Sequence, residues 1–264
     1  MNNKYDIRAK EIDSLLCVGL DSDFAKLPEG FRALEFPQFE FNKWIIDQTA
    51  EYTASFKVNS AFYEARGDQG IRELKMTIDY INTKHPTIFT ILDAKRADIG
   101  NTNNGYVEFI YDWLGFDSFT VHPYLGHEAV QPILDRTDKT TIILCRTSNP
   151  GARDFQDLIV DGKMVYEIVA KKVSQEWNTN NNCMIVVGAT YPEEMKKIRG
   201  IVGDMTFLVP GIGAQGGSVE EVVKSGLNSK GLGLIIHSAR GIIFAENPKL
   251  EAQNLRDEIR KYSA

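Results

Sequence analysis

Eight short apolar runs, each followed by a longer stretch of helical period, fill this chain almost from end to end. The runs 15–20, 55–58, 87–92, 118–121, 141–145, 184–187, 206–209 and 233–236 are rich in β-branched and aromatic residues. Apolar and polar residues hardly alternate within them, as expected of parallel strands buried on both faces. The stretches 39–52, 69–83, 101–114, 127–134, 163–177, 192–202, 219–227 and 248–262 space apolar residues three or four apart, the period of an amphipathic helix. Pro192, Ser218 and Asn247 stand where helix starts call for a proline or a short polar cap. Strand–helix–strand units of one hand either close into a barrel or spread into a doubly wound open sheet, and eight of each favours the barrel. Such a barrel needs ~250 residues, and the chain has 264. No Pro- or Ser-rich linker divides it. The expected architecture is α/β: a single (β/α)8 TIM barrel forming one domain over residues 1–264.

A net charge of -6 argues against nucleic acid or an anionic membrane as the main partner, since both reward excess Lys and Arg. It leaves room for a small anionic ligand held by a few local cations. The segment MNNKYDIRAKEID carries no apolar core of a secretory signal, and no apolar run approaches the roughly 20 residues of a membrane span. The three cysteines, Cys17, Cys145 and Cys183, lie in or beside apolar runs without CxxC spacing, and read as reduced core residues. A cytoplasmic protein is expected.

In a barrel, function collects where the strands end, because the loops after them open on one face. The third run leads into Asp93-Ala94-Lys95-Arg96-Ala97-Asp98. Two residues apart in extended chain, Asp93 and Lys95 point the same way, into the barrel mouth. The second run ends at Lys57 and Asn59, and the first at Asp21. Any one of these charges is ordinary rim decoration. All of them at adjacent strand ends are not, because desolvating each costs several kcal/mol unless the cluster has work to do. A lysine among carboxylates stays protonated. That makes it a poor Schiff-base nucleophile but a good proton donor and counter-charge to a carbanion. The same carboxylates repel an anionic group on the substrate and favour its departure.

After the seventh run, Pro210-Gly211-Ile212-Gly213-Ala214-Gln215-Gly216-Gly217-Ser218 precedes a helix. Glycines there let backbone N–H groups approach an anion, at the place where barrels commonly bind phosphate. The eighth run ends in His237-Ser238-Ala239-Arg240, and Arg240 can fork onto a phosphate. After the fifth run, Thr147-Ser148-Asn149-Pro150-Gly151 offers hydroxyl and amide groups to a heterocycle edge, although by itself it is simply a good turn.

FKVN, DAKRADIGNT, TSNPGA, PGIGAQGG and the late arginine occur in this order, and from about Leu16 to Pro248 the chain closely resembles the orotidine 5'-monophosphate decarboxylase family, in its longer subgroup. The resemblance implies an enzyme, a carboxy-lyase that needs neither metal nor cofactor and converts orotidine 5'-monophosphate to UMP. It implies that Lys57, Asp93, Lys95 and Asp98 form an alternating charged tetrad. Lys95 would protonate C6 of the pyrimidine, and Asp93 would face the departing carboxylate. It also implies a homodimer, with Asp98 and Thr102 supplied to the partner's site. Asp21, Lys57 and Thr102 would hold ribose hydroxyls, Asn59 would line the ribose or base pocket, Ser148 would read the pyrimidine, and Gln215 and Arg240 would grip the phosphate. Ala239 stands where a glycine often precedes the arginine, and 152–162 gains no role.

The nearest rival is a metal-dependent phosphosugar decarboxylase or aldolase of the same barrel group, such as a keto-gulonate phosphate decarboxylase or hexulose phosphate synthase. Those use an acidic residue where this chain has Lys57. A nucleotide-binding regulator without catalysis would have a damaged tetrad, and all four residues are present. His122 and His237 follow strands but have no spaced partners, which points to structural roles.

Overall fold

The computed structural model describes residues 4–213 and 216–263. Eight parallel strands close on themselves: β1 (Leu16–Gly19), β2 (Ser55–Asn59), β3 (Phe89–Arg96), β4 (Ser118–Val121), β5 (Thr140–Arg146), β6 (Cys183–Val187), β7 (Phe207–Pro210) and β8 (Leu234–Ser238). Each pairs with its neighbours in chain order, and β8 pairs back onto β1. Around them stand α1 (Pro37–Thr49), α2 (Gly67–Lys84), α3 (Asn101–Val107), α4 (His127–Leu134), α5 (Val165–Lys172), α6 (Pro192–Val202), α7 (Val219–Gly226) and α8 (Pro248–Ser263). The expected (β/α)8 barrel is the fold observed. Because helices cover the outside and packed side chains the inside, β1 and β6 are buried at every residue, which is why their sequences scarcely alternate.

Helix starts follow local chemistry. Pro192 opens α6, the Ser218 hydroxyl accepts the Glu221 N–H at 3.3 Å, and the Asn247 side chain accepts the Leu250 N–H at 3.1 Å. The first turn of α1 is capped instead from α2. There Glu73, wholly buried, accepts the N–H groups of Gln38 and Phe39 and pairs with Arg66. A leading helix, Lys4–Glu11, closes the end of the barrel remote from the loops, with the Tyr5 hydroxyl donating to the Leu234 carbonyl.

Three boundaries depart from expectation. β3 runs on through the charged motif to Arg96, with its register against β4 shifting between Leu92 and Arg96. The helices α3 and α5 pass into π-helical stretches at Glu108–Leu114 and Val173–Trp177. Residues Lys163–Met164 precede α5 as one strand of a short antiparallel hairpin with Ile159–Val160, which follows a single helical turn at Arg153–Gln156. The cysteines are free and buried, and burial pushes the Cys17, Cys145 and Cys183 thiols up to about 12. Among the described residues no helix is long and apolar enough to cross a membrane.

Candidate active site

Asp21, Lys57 and Asp93 come from three adjacent strand ends, and the register of β1, β2 and β3 sets them side by side. The Lys57 ammonium, almost wholly buried, lies 3.2 Å from Asp93 Oδ2 and 3.5 Å from Asp21 Oδ1. Asp93 turns its other oxygen, Oδ1, to the Lys95 ammonium at 2.6 Å. Asp21 also accepts the Asn59 N–H at 3.2 Å. Burial works to lower Lys57, but the Asp21 and Asp93 carboxylates overcome it and raise this lysine above its ordinary value. Burial likewise works to raise Asp93. The Lys57 and Lys95 ammoniums and a hydrogen bond from Thr120 prevail, and hold it well below the usual carboxylate range.

Lys95 reaches this contact by a route that simple alternation does not describe. Its φ is +46°, in the left-handed region, where the β3 register shifts. Such a conformation costs of order 1–3 kcal/mol outside glycine and persists when neighbours hold it. Thr120 of β4 does so: its Oγ1 accepts the Lys95 N–H at 2.9 Å and donates to Asp93 Oδ1 at 2.9 Å. The Lys95 side chain is about half exposed and faces the cavity, whereas Lys57 sits beneath it as a buried counter-charge.

The cavity at this end of the barrel has a volume of about 510 Å³. Asp21, Lys57, Asn59, Asp93, Lys95, Ser148 and Arg240 all line it, with Leu144, Val186 and Leu208 as apolar floor. Gly211 and Ile212 bring the glycine-rich loop to its wall. This loop is drawn tight: the Gly217 N–H donates to the Gly211 carbonyl at 3.1 Å, and a Cβ at Gly217 would collide with Ala189 and that carbonyl. Arg240 is exposed at the start of a short helix and has no carboxylate partner among the described residues, so its guanidinium is open to an anion. Gln215 lies outside the described residues.

Asp98 and Thr102 are not brought into this cavity by their own chain. Asp98 sits in the loop after β3, its carboxylate accepting the Ile99 N–H at 2.7 Å and its backbone N–H donating to the Asn103 side chain at 3.0 Å. Thr102 is exposed in the first turn of α3.

Thr147 and Asn149 of the turn after β5 line the cavity beside Ser148, and Thr120, Gln156 and His237 line it without a sequence signal that assigns them to it. Thr120 leaves a trace, since Ser118 and Thr120 put hydroxyls two apart in an otherwise apolar run. His237 is buried beside Gly19; burial, and then the Lys57 ammonium, hold its imidazole well below the ordinary value, hence neutral. His122 does not line the cavity. Among the described residues no three His, Cys, Asp or Glu side chains converge as metal ligands.

This geometry has close counterparts. Residues 14–255 match the model of the orotidine 5'-phosphate decarboxylase / HUMPS family. The chain belongs to this family. It is 50% identical over 248 residues to an orotidine 5'-phosphate decarboxylase of Flavobacterium johnsoniae, covering 94% of this chain and 90% of that one. The orotidine 5'-phosphate decarboxylase of Cellvibrio japonicus is 47% identical over 246 residues, covering 92% and 89%. Among solved structures, the OMP decarboxylase of Leishmania donovani superposes with a TM-score of 0.89 at 36% identity, covering 98% of this chain and 97% of that one. A putative orotidine-monophosphate decarboxylase of Toxoplasma gondii gives 0.91 at 35%, covering 98% and 96%. The match to these decarboxylases spans nearly the whole chain, and the solved ones share its barrel.

Proposed function

We propose that this protein is a carboxy-lyase that converts orotidine 5'-monophosphate to UMP, the closing step of de novo UMP synthesis, without metal or cofactor. The observation that carries the reading is one cavity lined both by a carboxylate-bound, half-exposed lysine and by an arginine that, among the described residues, has no carboxylate partner and stands with the glycine loop. The substrate phosphate binds Arg240 and the loop that contains Gln215; Asp21, Lys57 and Asn59 hold the ribose side; Ser148 meets the pyrimidine edge.

In the reaction the bond from C6 to the carboxylate breaks, its electron pair stays on C6, and carbon dioxide leaves. Asp93 faces the departing carboxylate, and the Lys95 ammonium offsets the developing charge and then gives C6 its proton. Solvent returns a proton to Lys95. Contacts to phosphate and ribose are remote from the breaking bond, so their binding energy serves to place C6 against Lys95. Lys57 keeps Asp93 ionised, and Asp98 completes the tetrad from the partner subunit, with Thr102 beside it on the ribose. The position of both outside their own chain's cavity supports such a homodimer, as does the exposure of Ile99, Tyr124 and Leu125 nearby. One domain over residues 1–264 and a cytoplasmic place of action complete the reading.

The test is turnover of orotidine 5'-monophosphate by the pure protein in the presence of a chelator. Loss of orotate absorbance with UMP as product is expected at an undiminished rate. No turnover would reject the reading, and turnover abolished by the chelator would reject its metal-free chemistry.

A further inference from the structure

Arg146 closes β5, yet no step above uses it. Its side chain is buried, with only 1% of its surface exposed, and lies between the rings of Tyr191 and Tyr166, 4.2 and 5.4 Å from their centroids. A β-bulge explains its direction. Leu144 faces the cavity, and alternation would send Arg146 there too, but the pairing with β6 slips between Leu144 and Arg146. The guanidinium therefore turns outward, to the far end of the loop that starts at the next residue. It lies 2.9 Å from Asp157 and 3.8 Å from Glu194, and donates to the Gln156 side-chain oxygen at 3.4 Å. Gln156 accepts the Thr147 N–H at 2.9 Å and returns a hydrogen bond to the Thr147 hydroxyl at 2.9 Å. The two ends of the loop 147–157 are thus tied together, and Thr147, Ser148, Asn149 and Gln156 all reach the cavity.

We infer that Arg146 is a positioning residue that sets the loop 147–157 against the base of the bound nucleotide, an inference that rests on the pyrimidine-nucleotide reading of the cavity. Without the guanidinium, Asp157 and Glu194 face each other as like charges, and the loop end is driven outward together with Gln156. The phosphate end, built on β7 and β8, and the ribose side, built on β1 and β2, make none of these Arg146 contacts. Loss of Arg146 should therefore weaken recognition of the base selectively.

Arg146→Met keeps much of the volume between the tyrosine rings and removes the charge; Asp157→Asn removes the partner alone. Binding of UMP and of ribose 5-phosphate is titrated for each by calorimetry. For Arg146→Met we expect UMP to weaken about tenfold, while ribose 5-phosphate stays within about twofold of the unsubstituted protein. For Asp157→Asn the same split is expected at about threefold. The double variant should bind UMP no worse than Arg146→Met, because the two residues act as a unit. Equal weakening of both ligands, or unchanged UMP binding in the single variants, overturns the inference. Should Arg146→Met fail to fold, the Asp157→Asn split decides alone. Failure of the unsubstituted protein to bind UMP, with ribose 5-phosphate still bound, would instead overturn the nucleotide reading, and this inference with it.

Discussion

At Lys95 a strained backbone, a half-exposed ammonium and a 2.6 Å contact to Asp93 coincide. Strain of this kind is retained where neighbours over-determine it, and here the neighbour is Thr120, which binds both the Lys95 N–H and Asp93. Thr120→Val keeps the shape and removes both hydrogen bonds; kcat is expected to fall about tenfold or more with KM changed much less, as steady-state kinetics would show. Charges around the cavity also fix the response to pH. His237 is held neutral below its ordinary value by burial and by Lys57 and Lys95, against the opposing pull of Asp93. Below pH ~6.5 the unfolded chain then binds a proton that the folded one refuses, so stability drops as the solution is acidified. Asp93, held low when folded, adds a second loss below pH ~4, whereas Lys57, held high, keeps its contribution until pH rises past ~10.4. Burial also lowers His85, so melting temperature measured against pH should show a smaller first decline in His237→Asn than in the unsubstituted protein; identical profiles would contradict this. Asp21, Lys57, Asp93 and Lys95 were legible from sequence because charges at strand ends need a reason. Thr120 leaves only the trace it shares with Ser118, since hydroxyls in a strand carry no such cost, and the neutral state of His237 leaves none, because it depends on what surrounds the ring.

Among the elements, strands were easier to read than their ends. A strand covered on both faces writes itself as an apolar run, so all eight appear within a few residues of where they lie. The extension of β3 to Arg96 and the slip in β5 at Arg146 depend on pairing with β4 and β6, which no local pattern encodes. The hairpin over Ile159–Val160 and Lys163–Met164 is short and largely exposed, so its residues carry neither a period nor a buried face. Helix starts show the same division: Ser218 and Asn247 cap their own helices visibly, but α1 takes its cap from Glu73 across a helix–helix contact. Glu73→Ala leaves two N–H groups and Arg66 without their partner, and should destabilise the fold by about 3 kcal/mol. Urea unfolding measures it, and a change below about 1 kcal/mol would show the cap to be dispensable.

For the molecule as a whole, one chain brings Lys57, Asp93 and Lys95 together, and Asp98, the proposed fourth member of the charged tetrad, does not line its own chain's cavity. Mixed Lys95→Ala and Asp98→Asn proteins, each nearly inactive alone, are therefore expected to recover about a quarter of full activity after subunit exchange, since half the dimers then carry one intact site. No recovery after verified exchange would place Asp98 in its own chain's chemistry. The charged cluster itself is tested most directly by comparing binding with turnover in Lys95→Ala. UMP should still bind that variant, while decarboxylation, followed as loss of orotate absorbance, should fall by roughly 10⁴-fold or more. Turnover within about tenfold of the unsubstituted protein would contradict the central role given to this lysine.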